Sequence, residues 1–338
     1  MRPFFKPALG FALFSLLATS QAFAEQTIRV SSWLPPAHTM NANVLPTWGK
    51  WIEEATEGRV KLKIEYPGGD PKSVLDQVQD GAYEAGWIFH GYYPGRFKLT
   101  AMAELPGLEA DSAAASVAYW KTYEKYLAKA DEHKGVIVAG LFTHGPGQIH
   151  SIKPITSLAD LKGKKMRIGG GIQTAIAKRM GIEGVAAPGS KVYEMLSQGV
   201  VDGVFMPMGE KKTLRIKEVA PFTLKFPGGG MYLGSFGVVL NQDFMASLDE
   251  KDRNAIMSVS GEKLSKLAGD AWKKEADEGE ADAKASGNTI QDAPEPVLKE
   301  FAELTKGLDD EWLTSVKDSG VDAAAALKDF RETAKTGQ

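Results

Sequence analysis

The segment Asp160-Leu161-Lys162-Gly163-Lys164-Lys165-Met166-Arg167-Ile168 decides how the rest of the chain reads. It predicts a polar turn, with Gly163 at the bend, and then a short strand that delivers a guanidinium. Gly169-Gly170-Gly171 and an Ala-rich helix over 174–180 come next. An arginine at the end of a strand, beside a glycine-rich opening, is placed to grip a carboxylate. Its planar fork makes two parallel, charge-assisted hydrogen bonds to that group. The competing reading is a solvated arginine that caps a strand, since charged side chains are mostly exposed.

Upstream, residues 26–32 alternate like a strand with one buried face. They run into Trp33-Leu34-Pro35-Pro36-Ala37-His38, where two prolines forbid further ladder pairing. A helix is expected over 43–56, with Val44, Trp48, Trp51, Ile52 and Ala55 at helical spacing and Gly58 as its stop. Residues 60–66 alternate again. Strand, helix, strand with short connections is the unit of a parallel α/β sheet. Ligands on such sheets sit beyond the carboxyl ends of the strands, which is where Trp33 and His38 fall. A helix over 72–81 and a buried strand over 82–90 repeat the unit and end in an aromatic loop. Phe89, His90 and Tyr92 are candidates there, whereas Tyr93 and Phe97 read equally well as packing under the loop.

Residues 110–134 predict one or two helices. The run 135–142 is apolar without alternation, as in a central strand buried on both faces, and 143–151 read as a crossing between two lobes. His144 and His150 lie in that crossing with no cysteine or clear carboxylate to join them, so no metal site is expected. Downstream come a helix over 190–198, a strand and loop over 200–207, and a strand over 222–226. A buried run over 232–240 is expected to re-enter the first lobe. Residues 248–286 read as helix with few breakers, and 298–312 and 323–330 as closing helices.

The chain's beginning points to export. Arg2 and Lys6 precede an apolar run over 8–18, and Ala22-Phe23-Ala24 fits the small-x-small cleavage rule, so a signal peptide cut after Ala24 is expected. With no cysteine in the sequence there is no thiol for lipid attachment, a disulfide or metal ligation. The formal charge of −3 becomes −5 without the two leader cations, a mild acidity that argues against nucleic acid as a partner.

The order "-L-x-D-L-K-G-K-K-x-R-" (residues 158–167), an Ala-rich helix, then "-V-Y-x-x-L-x-x-G-V-V-D-G-" (192–203) resembles the DctP-type extracytoplasmic solute receptors of tripartite ATP-independent periplasmic (TRAP) transporters. The likeness spans nearly all of the expected mature chain. It implies a two-lobed α/β binding-protein fold with hinge crossings and a long helix behind both lobes. The expected division is 25–143 with 231–270, and 144–230 with 271–338. It implies a periplasmic protein that takes a carboxylate from solution and passes it to one small and one large membrane subunit, with no cofactor and no chemistry.

Arg167 matches the family's carboxylate-binding arginine. Trp33, His38, Phe89, His90, Tyr92, Phe205 and Met206 are the other expected ligand contacts. Two positions depart from the family pattern: Met206 stands where many members have asparagine, and Gly147 where some have a second arginine. Both departures favour an aromatic or branched monocarboxylate over a C4-dicarboxylate. A receptor of the ATP-driven class and a periplasmic enzyme are the alternatives. The sequence offers no nucleophile elbow, no HExxH and no phosphate loop for the latter.

Overall fold

The computed structural model describes residues 25–337; the expected signal peptide and its cleavage point lie outside the described residues. The described strands are β1 (Gln26–Ser31), β2 (Val60–Glu65), β3 (Ala85–Phe89), β4 (Val136–Thr143), β5 (Gly147–Ser151), β6 (Lys165–Ile168), β7 (Glu183–Ala186), β8 (Gly203–Pro207), β9 (Phe222–Lys225), β10 (Ser235–Asn241) and β11 (Thr289–Asp292). They form two sheets, ordered β2-β1-β3-β10-β4 and β11-β9-β5-β8-β6-β7.

The alternation at the start of the chain becomes a parallel βαβ unit. β1 pairs with β2 from Gln26↔Val60 to Ser31↔Glu65, joined by α1 (Leu45–Ala55). Leu45, Trp48 and Ile52 lie three and four residues apart, so one helical face buries all three against the sheet. Full burial of each contributes about 1.5–3 kcal/mol. After α2 (Val74–Gln79), β3 is buried at all five positions. It is a central strand, covered on both faces.

Each sheet borrows a strand from the far side of the other. β10 returns antiparallel between β3 and β4, and β5 enters the second sheet antiparallel to β8 and β9. The two crossings, β4 to β5 and β9 to β10, run side by side and are bonded to each other. Gly147 N donates to Tyr232 O at 2.9 Å and Met231 N to Gly147 O at 3.0 Å. The expected re-entry over 232–240 is β10, while half of the stretch expected as pure crossing is already β5.

On the first sheet, α3 (Ser112–Thr122) packs against β4. The second sheet carries α4 (Ile172–Arg179), α5 (Val192–Ser197) and α6 (Glu210–Thr213). After α7 (Gln242–Ser247), the helical stretch expected over 248–286 is two helices, α8 (Glu250–Ser258) and α9 (Glu262–Ala285). Gly261, at φ +62°, turns the chain into the last of them.

α9 has 24 residues, about 36 Å of helix. It touches α3 and β4 on one side and α6 on the other, so it spans both sheets. Its contact with α3 is close because Gly269 has no Cβ, and Ser112 Oγ donates to Gly269 O at 3.0 Å. After α10 (Glu295–Thr305) and α11 (Leu308–Val316), α12 (Ala323–Thr336) returns to α3, where Phe330 meets Tyr119 edge-on. The chain's last helix therefore sits with the first sheet, although the expected division put 271–338 with the second.

Candidate functional site

β6 is short because only Met166, Arg167 and Ile168 are shielded, Lys165 being exposed. Alternation turns Met166 into the lobe core and Arg167 to the opposite face, where it lines a cavity between the two sheets. About 30 Å³ of the cavity is open to a water-sized sphere, so its walls lie close together. Arg167 is only 2% exposed. Its Nε and Nη2 donate to Ala187 O at 2.9 and 2.6 Å, and its Nη1 to Met206 Sδ at 2.8 Å. Among the described residues it makes no ion pair. A guanidinium held this deep without a carboxylate is costly unless an anion joins it.

Gln173, in the first turn of α4, completes that corner. Its Oε1 accepts from Gly169 N at 2.9 Å, which fixes the amide so that Nε2 is the free end. That Nε2 donates to no described residue, and Gln173 lines the cavity beside Arg167.

Aromatic rings make the opposite wall. Trp33, one residue past β1's extension, stacks on Trp87 at 4.3 Å and donates its Nε1 to Trp87 O at 2.9 Å. Its indole nitrogen is thus engaged and its face is offered. Phe89, the last residue of β3, packs edge-on to Tyr92 at 4.9 Å and tilted on Phe236 at 4.9 Å. Tyr92 reaches across the cleft, its hydroxyl accepting from Gly189 N at 2.8 Å.

A third group of side chains carries charge. Glu210, at the start of α6, is 2% exposed and lines the cavity. Its Oε1 lies 3.3 Å from His38 Nε2, and its Oε2 accepts from Thr213 Oγ1 at 3.0 Å. Burial opposes a charge on His38, but Glu210 and Glu275 outweigh it and hold its pKa above the usual value. Burial, with Glu210 close by, pushes Glu275 up. His144, also lining the cavity, is driven down to about 4 by burial and is neutral at ordinary pH.

Just outside the cavity, Glu104 ties the sheets together. Its Oε1 accepts from Ser235 N in β10 at 3.1 Å and its Oε2 from Ile172 N in α4 at 3.0 Å. Burial raises its pKa to about 7 against those two amides.

Of the residues singled out from sequence, Arg167, Trp33, Phe89, Tyr92 and Met206 line this one cavity. Three do not. Phe205 points away from it into the lobe core, because strand alternation sends it to the face opposite Met206. His90 turns off the end of β3 toward Ser235 Oγ at 2.7 Å and His133 Nε2 at 2.9 Å. Burial with that second imidazole holds its pKa well below the usual value. His38 lies behind the cavity wall, against Glu210 and edge-on to Trp272. Sequence reading missed Gln173, Glu210, Tyr232 and Trp272. Gln173 alone had a signal, as the polar side chain that follows the glycines at a helix start.

The model of the family described as "Bacterial extracellular solute-binding protein, family 7" matches residues 30–314. The chain belongs to this DctP family. It is 31% identical over 330 residues to the "Outer membrane transporter protein TsaT" of Comamonas testosteroni, covering 96% of each chain. It is also similar to a solved TRAP periplasmic solute-binding protein of Bordetella bronchiseptica bound to (R)- and (S)-mandelate. That likeness is 38% identity and a TM-score of 0.88, over 92% of this chain and 99% of the other. A TRAP solute-binding protein of Rhodoferax ferrireducens, in complex with copurified benzoate, is 27% identical with a TM-score of 0.86, over 92% and 98%. These likenesses make the chain a TRAP-type solute receptor of the two-lobed fold, a class of extracytoplasmic binding proteins that work with TRAP membrane components.

In this DctP family member the structure shows what surrounds the two positions at which the resemblance implies a departure. A Cβ on Gly147 would clash with the edge of the Tyr232 ring, so Tyr232 fills the space that a side chain there would need. Met206 is more than an apolar filler, since its sulfur accepts an Arg167 N–H. It holds the guanidinium as a weak acceptor and leaves it without a competing carboxylate.

Proposed function

We propose that the protein binds an aromatic monocarboxylate in the cleft between its sheets and passes it unaltered to the small and large membrane subunits of a TRAP transporter. The observation that carries this reading is Arg167, buried and unpaired by any described carboxylate, facing a wall of rings. Arg167 and Gln173 Nε2 would take the carboxylate, and Trp33 and Phe89 would enclose the ring. The mandelate and benzoate of the two similar receptors support this ligand class. The Tyr232 ring beside Gly147 supports a single cation, so a C4-dicarboxylate would leave its second charge poorly paired.

The bonds that cross the cleft, Tyr92 to Gly189 and Glu104 to Ile172, support a closed form that opens about the paired crossings. Residues 1–24 would direct export as a signal peptide and be cut off after Ala24, with the mature protein starting at Glu25.

A thermal-shift panel tests the ligand class, because a ligand that binds only the folded state raises the melting temperature. Benzoate and mandelate should give the large shifts and succinate, malate and fumarate small ones. The largest shifts from C4-dicarboxylates, with none from aromatic acids, would overturn it. Small-angle scattering should show a smaller radius of gyration with saturating benzoate, and NMR of the recovered ligand should show it unchanged.

A further inference from the structure

A cavity built to receive a carboxylate also contains one. Glu210 is as buried as Arg167 and lines the same space. Its carboxylate is held in place by His38 Nε2 on one oxygen and Thr213 Oγ1 on the other. Each oxygen has a further lone pair, so Glu210 presents the cavity with acceptors and no donor. Trp272 lines the same cavity from α9 and is 2% exposed. Its Nε1 is a buried donor with no hydrogen-bond partner among the described residues. An indole N–H in this state is unusual, since buried polar groups are nearly always paired.

We propose that Glu210 sets the substitution pattern of the ligand: it accepts a hydrogen bond from a hydroxyl on an aromatic monocarboxylate and turns away a second carboxylate. This rests on the reading of the site as an aromatic-acid receptor and goes beyond it. A hydroxyl donates one hydrogen bond and accepts others, so it can serve both an acceptor-only glutamate and an unpaired indole N–H. A carboxylate brings only acceptors, and like charge, to Glu210. A hydrogen or methyl leaves both protein groups unmet, with the desolvation penalty that follows. An ammonium would satisfy Glu210 but has nothing to offer Trp272 Nε1, and His38 already lies against that carboxylate. The site thus discriminates by a mismatch built against one ligand class as well as by a contact made to another.

Calorimetry on the mature protein with two ligand series tests this. One is phenylacetate, mandelate, phenylglycine and phenylmalonate; the other is benzoate, 3-hydroxybenzoate and isophthalate. In at least one series the wild type should bind the hydroxy acid about tenfold tighter than the unsubstituted acid, as a hydrogen bond to a charged group provides. The diacid should bind weakest. In Glu210→Gln the hydroxy-to-unsubstituted ratio should fall and the diacid-to-unsubstituted ratio should rise, each about tenfold. The inference is overturned if the wild type binds the diacid or phenylglycine as tightly as the hydroxy acid, which needs no variant to establish. It is equally overturned if both ratios stay within twofold in Glu210→Gln. Binding of aromatic acids without these patterns sinks Glu210's role alone, whereas no binding of any member sinks the receptor reading with it.

Discussion

On the first-sheet side of the cleft, Trp33, Phe89 and Phe236 present ring faces, and the polar atom nearest them is already engaged, Trp33 Nε1 on Trp87 O. On the second-sheet side, Arg167, Gln173 and Glu210 present charge or unpaired donors. The difference follows from how each wall is made. β3 is buried on both faces and ends in a loop that must stay packed, so only apolar side chains fit there at low cost. β6 ends at glycines, and its amides and helix start leave room for a charge and its hydrogen bonds. One wall gives the ligand its shape and the other fixes its polar groups. That arrangement predicts effects of different kind and size when each wall is altered.

The largest effect belongs to the charged wall. Arg167→Ala should weaken benzoate binding by about 2–5 kcal/mol, roughly thirtyfold or more, with Arg167→Lys nearly as damaging because a point charge lacks the fork. Unchanged affinity by calorimetry would remove Arg167 from the site. Gln173→Leu should cost about 1.5 kcal/mol, roughly tenfold, as a lost hydrogen bond to a carboxylate. Equal affinities for wild type and variant would leave Arg167 as the sole carboxylate contact.

The ring wall should respond less, and without regard to the ligand's polar groups. Trp33→Ala should weaken benzoate and 3-hydroxybenzoate alike by about 1 kcal/mol, roughly fivefold, for the lost ring contact. A loss confined to one ligand would mean the two walls do not divide their work as described.

The smallest effect is at Glu104, which joins the walls. Folded, it keeps its proton to about pH 7 rather than the ordinary 4.5, chiefly through burial. A raised carboxyl pKa means the folded state binds the proton more tightly. The stability this contributes is full below pH 4.5 and disappears as pH rises through 7. Glu104→Gln does not titrate, but its amide nitrogen cannot accept from one of the two backbone N–H groups that Glu104 serves. Its melting temperature should therefore lie below the wild type's near pH 4.5 and gain on it by pH 8. A difference that is constant across that window would show that Glu104 does not titrate there.

Much of this was legible before the structure. The βαβ openings, the buried central strands, the crossings and the long helix all follow from periodicity and glycine or proline punctuation. β7 and β11 were not legible, being four-residue edge strands with mostly exposed side chains and no apolar period. Nor was the return of α12 to α3, because an amphipathic helix announces that it has a partner but not which one.

The site divides in the same way. The sequence by itself determined the fold class, the family and the strand end that carries Arg167, since each depends on residues near one another in the chain. Only the tertiary structure decided that Met206 faces the cavity and Phe205 the core, because a strand buried on both faces has no polar side to set its phase. It alone brought Glu210 to His38, 172 residues away, and set Trp272 in the wall of the same cavity with its Nε1 buried and unpartnered. A buried polar group takes its role from what it is buried against, and that is settled by packing between distant segments.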